Sequence, residues 1–103
     1  MPTKKLAPVH PGEVLREEFL VPLGLTPYAV AMALNVPRTR IERIVREETS
    51  VTAETAILLG KYLNTSPLFW INLQGQYDIE TAQDSMGGDA KRIVPVVNQK
   101  TAA

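Results

Sequence analysis

The sequence predicts an all-α domain of five helices, on three observations. Apolar residues recur three and four positions apart in successive segments. Prolines stand at the starts of these segments, and Gly or Asn stands at several of their ends. The connections between segments are short, as compact helical domains prefer.

The first helix is predicted over residues 12–20, where Val14, Leu15 and Phe19 share helical spacing. Pro11 starts it, and Pro22 with Gly24 is expected to stop it. The second opens on Thr26-Pro27, a cap followed by a proline, and carries Val30, Ala31 and Leu34 on one face. Asn35 can take the left-handed conformation that ends it. Pro37 opens the third, with Ile41, Ile44 and Val45 inward. After a polar break at residues 47–51, Thr52 caps a fourth helix to Leu63, with Glu54 favourable in its first turn. Ser66-Pro67 repeats the cap-and-proline signal and starts a longer fifth helix to Asp84. Gly87-Gly88-Asp89 then breaks the pattern. The chain thus divides into a helical domain over residues 1–84 and a C-terminal tail over residues 85–103. Ile93-Val94-Pro95-Val96-Val97 is β-prone, but its proline excludes a central strand. The tail is expected to be flexible, or ordered by a partner or a second subunit.

Length and composition narrow the function. The chain has 103 residues, 11 Lys+Arg, 11 Asp+Glu, one His and no Cys. This suffices for one domain and excludes a disulfide framework and a Cys-based zinc site. No metal, no cofactor and no enzymatic activity are expected, because no nucleophile–base constellation or glycine-rich phosphate loop is present. The lone His10 precedes the first helix and reads as a capping or packing residue. No apolar run approaches the roughly 18–20 residues of a membrane span, and no signal peptide is evident. A soluble, cytoplasmic protein is expected.

Residues 26–46 are the informative stretch. Two short helices joined by three or four residues can cross steeply and present the second to a DNA groove. Such a helix-turn-helix corner needs a small residue where the helices touch, met by Ala31. It needs a turn residue that tolerates positive φ, met by Asn35. Apolar anchors stand at Val30, Leu34, Val36, Ile41 and Ile44. The second helix of this pair, the third in the chain, reads Pro-Arg-Thr-Arg-Ile-Glu-Arg-Ile-Val-Arg, four Arg against one Glu, a local charge of +3 within a neutral chain. Arg38, Thr39 and Arg40 occupy the first turn, the part that enters the major groove in this motif. Arg43 and Arg46 continue an exposed stripe. Arginine can bond guanine O6 and N7 in bidentate fashion or pair with phosphate. Tyr28 can offer its hydroxyl to a phosphate or pack as a half-buried aromatic. An ordinary solvated face, with Glu42 paired to Arg38 or Arg46, is the competing reading of the stripe.

Leu68, Phe69, Trp70, Ile71, Leu73 and Tyr77 give the fifth helix more apolar surface than one stripe requires. A dimer interface through Phe69, Trp70, Leu73 and Tyr77 is expected, and a dimer suits DNA reading.

On these motifs the chain resembles the HigA-type antitoxins, a branch of the Xre/Cro-like helix-turn-helix proteins. The resemblance runs from about Val9 to Ala82. It is carried by His10-Pro11-Gly12-Glu13-Val14-Leu15, by Phe19-Leu20 with Pro22-Leu23-Gly24-Leu25, and by Val36-Pro37-Arg38-Thr39-Arg40-Ile41. It continues in Val51-Thr52-Ala53-Glu54-Thr55-Ala56 and in Pro67-Leu68-Phe69-Trp70-Ile71-Asn72-Leu73-Gln74 with Tyr77-Asp78. It implies a Cro/lambda-repressor-like five-helix domain and a homodimer bound to double-stranded DNA at a palindromic operator, repressing its own promoter. It also implies an antitoxin role against a RelE-like, mRNA-cleaving ribonuclease. Stand-alone regulators and a toxin-binding module that has lost DNA binding are the alternatives. Carried over by position, Arg38, Thr39, Arg40 and Arg43 fall on the DNA-reading helix.

Two positions depart from the family. Pro27 stands where many members have a phosphate-contacting Gln. Glu47, Glu48 and Thr49 replace the usual Gly and basic residues after the recognition helix. A Glu at positive φ costs roughly 1 kcal/mol, so another path for that turn is expected, and two carboxylates there oppose DNA electrostatically.

Overall fold

The computed structural model describes residues 7–97. Five helices carry it: α1 over residues 11–23, α2 at Pro27–Leu34, α3 at Arg38–Val45, α4 at Ala53–Leu63 and α5 at Pro67–Met86. No strand occurs among the described residues.

The predicted caps set most starts. The Thr26 hydroxyl accepts from Ala29 N–H at 3.0 Å, the Thr52 hydroxyl from Thr55 N–H at 3.3 Å, and the Ser66 hydroxyl from Leu68 N–H at 3.0 Å. Each satisfies one of the amide groups that a helix start leaves unpaired. Gly24, Asn35 and Asn64 all take left-handed conformations just past helix ends. There the following amide reaches back to a last-turn carbonyl, as in Leu25 N–H to Leu20 O at 2.9 Å and Val36 N–H to Ala31 O at 3.0 Å.

Two helix ends differ from expectation. Pro22 does not stop α1, which runs on to Leu23 because Leu15–Leu20 is π-helical. Val21 N–H bonds to Arg16 O, five residues back. Proline has no N–H to donate and its ring crowds the carbonyl four residues earlier. The wider π turn gives that ring room and lets the helix pass. At the other end α5 continues past Asp84 to Met86, and Gly87 N–H caps it through Gln83 O at 3.1 Å.

One core joins the helices: Leu15, Leu20, Val30, Ala31, Leu34, Ile41, Ile44, Val51, Ala56, Leu59 and Trp70. Trp70 corrects an expectation. It is fully buried, so it belongs to the core and not to a dimer surface. Its Nε1–H donates to Thr65 Oγ1 at 2.8 Å, and its ring lies 5.4 Å from Phe19 and 5.0 Å from Phe69, centroid to centroid. An indole buried with its one donor satisfied is a stable core group.

Beyond α5, Asp89–Arg92 forms a short 3-10 turn, and Ile93–Val97 is exposed and irregular, with a bend at Val96 and Val97 and no strand pairing. The rest of the tail, residues 98–103, lies outside the described residues.

Candidate nucleic-acid interface

The α2–α3 corner is built as its residues require. Ala31 is buried where the two helices meet, and Asn35 turns the chain at φ 58°. Val30, Ile41 and Ile44 have almost no exposed surface. Pinned on this side, α3 turns Arg38, Thr39, Arg43 and Arg46 to solvent, with Arg40 half-buried. The Arg38 guanidinium lies 6.0 Å from the Tyr28 ring centroid and 3.3 Å from Glu42. Tyr28 itself is exposed. Arg40 reaches Glu54 in the first turn of α4 at 3.4 Å. Such exposed pairs are worth about 0–1 kcal/mol, so they hold the side chains without preventing exchange for a phosphate or a base. Arg43 and Arg46 form no ion pair among the described residues. The structure thus brings Arg38 to Tyr28 and turns Arg40 toward α4, while Phe69, Leu73 and Tyr77 stand on a separate element, α5.

The far end of α3 and the loop beyond it are held from three directions. Glu47 takes φ 65°, so the turn keeps the left-handed path against expectation. Its amide bonds to Ile44 O at 2.9 Å and the Glu48 amide to Arg43 O at 2.8 Å, which satisfies two last-turn carbonyls and offsets the strain. From α1, Arg16 donates to the Val45 carbonyl and to the Glu47 carboxylate. Gly12 packs so closely on α3 that a Cβ there would lie 1.8 Å from Ile44 O. From α5, buried Gln74 accepts from Val51 N–H at 2.8 Å and donates to Asp78 at 2.9 Å.

His10 completes this junction. Its Nδ1 accepts from Gly12 N–H at 2.8 Å, so it caps α1, and its ring meets Tyr77 edge-on at 4.8 Å. Burial pushes the imidazole pKa below its ordinary 6.5, against the upward pulls of Glu47, the Thr49 backbone and Asp78.

This corner is found in known proteins. Residues 15–70 match the helix-turn-helix family. The chain is 47% identical over 75 residues to virulence-associated protein I of Dichelobacter nodosus, covering 73% of this chain and 69% of that one. It is 35% identical over 92 residues to antitoxin HigA-1 of Vibrio cholerae, covering 89% and 87%. The solved structure of Pseudomonas aeruginosa antitoxin HigA with the higBA promoter superposes with a TM-score of 0.83 at 43% identity, covering 87% of this chain and 99% of that one. The chain belongs to the HigA-type helix-turn-helix family.

Within the family frame, the partners of the α3 end, of the loop beyond it and of His10 were not visible in the sequence. Arg16, Gln74 and His10 act across 29, 23 and 67 positions on Val45, Val51 and Tyr77, and no local pattern marks such partners. His10 alone carried a hint, by standing before Pro11 at a helix start.

A neutral His10 is required for its Nδ1 to accept. Its folded pKa is lowered, so the unfolded chain binds the proton more readily. Stability is therefore full above about pH 6.5, falls as the pH drops below it, and levels off once the folded imidazole also protonates. Melting temperatures of the parent and of His10→Asn, which caps without titrating, compared from pH 8 to 5, check this. The difference between the two is expected to shift below pH 6.5. Parallel profiles overturn the assignment.

Proposed function

We propose that this protein is a dimeric, sequence-specific DNA-binding repressor that serves as the antitoxin of a type II toxin–antitoxin pair in the cytoplasm. The observation that carries this reading is the exposed arginine face of a helix-turn-helix recognition helix, α3. In the related HigA structure the antitoxin is solved with its promoter, which supports the same use of the motif here. Arg and backbone amides anchor phosphates and fix register, while Arg38, Thr39 and Arg40 read base edges. Arg43, Arg46 and Tyr28 contribute phosphate contacts. Two α3 helices set about 34–36 Å apart meet successive turns of a palindrome. Phe69, Leu73 and Tyr77 lie at four-residue spacing on α5 and supply the dimer contact in this reading. The protein acts by binding, not by catalysis. It represses its own promoter and blocks a RelE-like ribonuclease.

Gel shifts with the chain's own upstream DNA test the reading. Arg40→Ala is expected to lower operator affinity by roughly 1–3 kcal/mol, about 5- to 150-fold, and to relax discrimination at one base pair. Unchanged affinity removes Arg40 from base reading. The second reading, a toxin-binding module without DNA binding, draws on Glu47 and Glu48. It is weakened by the Glu47 pairing with Arg16.

A further inference from the structure

A glutamate is an unfavourable residue where Glu47 stands. It occupies a left-handed position that favours glycine, and it directly follows Arg46 at the end of the DNA-facing helix. Left free, its carboxylate would repel a phosphate backbone carrying one charge about every 1.7 Å of duplex axis. It is not free. The Arg16 guanidinium donates to Glu47 Oε2 at 3.3 Å and to the Val45 carbonyl, and its Nε holds Glu17 at 3.0 Å. Both Arg16 and Glu47 retain about a third of their side-chain surface. One fork thus takes an otherwise unpaired carbonyl of the last turn of α3 and the carboxylate two residues on. A cation is also favourable at that helix end. Arg16 comes from α1, on the side of α3 already clamped by the Gly12 contact, so the pair is anchored to the core.

We propose that Arg16 is a positioning residue for DNA binding that acts through Glu47: it restrains and neutralises the carboxylate, so that an acidic residue is compatible with the DNA-facing end of α3. The inference rests on the DNA-binding reading above. It also gives the glutamate a use. Arg16 offsets Glu47 while also holding Glu17, so the group lends this edge no positive charge and attraction to arbitrary sequences stays low while the placed arginines keep operator affinity.

A double-substitution cycle with Arg16→Met and Glu47→Gln tests this. Each protein is titrated with upstream operator duplex and with unrelated duplex of equal length, at several salt concentrations, and melted in parallel. Arg16→Met is expected to weaken operator binding about tenfold and to reduce the salt slope by about 1, because a carboxylate is unmasked. Glu47→Gln alone is expected to change affinity less than about threefold. The double variant has the parent's net charge at this edge and is expected to recover most of the affinity and the salt slope. Lost packing alone would give no such rescue. Should Arg16→Met fail to melt cooperatively, Arg16→Lys, which keeps the cation but cannot fork to both acceptors, replaces it. The expected loss is then smaller, and Glu47→Gln is again expected to restore affinity. Parent-like binding by the Arg16 variant, or a double variant as weak as the single, overturns the inference. Failure of the parent protein to bind its upstream DNA overturns the DNA-binding reading instead.

Discussion

Trp70→Ala is expected to cost about 3–5 kcal/mol of folding stability. The indole is the largest of the fully buried side chains, and it packs at once against Phe19 and Phe69. Truncation removes its apolar area, leaves a cavity between α1 and α5, and takes the donor away from Thr65. A domain of this size has a total stability on the order of 5–15 kcal/mol. The loss is therefore a large share of the whole, a fall in melting temperature of roughly 12–40 °C at about 4–8 °C per kcal/mol. Trp70→Phe keeps most of the ring volume and loses the hydrogen bond, so about 1–2 kcal/mol is expected. Urea denaturation of the three proteins measures both steps. An alanine variant melting within a few degrees of the parent would contradict the core placement of Trp70.

The second large effect is expected at Gly12, where the usual sign of a helix substitution reverses. An exposed helical Gly gains about 0.5–1 kcal/mol when changed to Ala. Gly12 is buried, and a Cβ there would lie 1.8 Å from Ile44 O and 2.8 Å from Ile44 C. These are backbone atoms and cannot rotate aside, so α1 and α3 must separate. Overpacking of side chains costs about 1–3 kcal/mol, occasionally more. With backbone as the obstacle we expect a net loss of about 3 kcal/mol. Operator affinity should fall as well, because the displaced element is the recognition helix. Gly75→Ala is the control: it lies inside α5 with nothing within 4 Å of the added carbon. It is expected to gain up to about 1 kcal/mol. Parallel thermal melts decide the pair, and equal signs for the two substitutions would refute the close α1–α3 approach.

The dimer expectation shows what periodicity leaves open. The sequence marks α5 as apolar on more than one face. Whether a face meets the core or a second subunit depends on what lies across from it, which spacing does not carry. Trp70 proved to be core, whereas Leu68 and Ile79 remain exposed on the same helix. The Glu47 turn shows a related limit. Its strain was legible from residue type, but the expected escape from it was not taken, because two backbone hydrogen bonds and a distant arginine offset the cost.

The sequence by itself determined five helices, their caps, the small residue and left-handed turn of the corner, and the arginine stripe of α3. These depend on interactions within about four residues, such as a hydroxyl to the third amide, an apolar repeat or a residue's tolerance of positive φ. Only the tertiary structure decided that α1 passes Pro22 on a π turn, that Trp70 faces inward, and that Arg40 pairs with Glu54. It also decided that Arg16 holds the end of α3, that Gln74 holds the loop beyond it, and that His10 meets Tyr77 on α5. Each of those side-chain partnerships joins groups on different elements, so it exists only after the helices have packed and brought those groups within bonding distance.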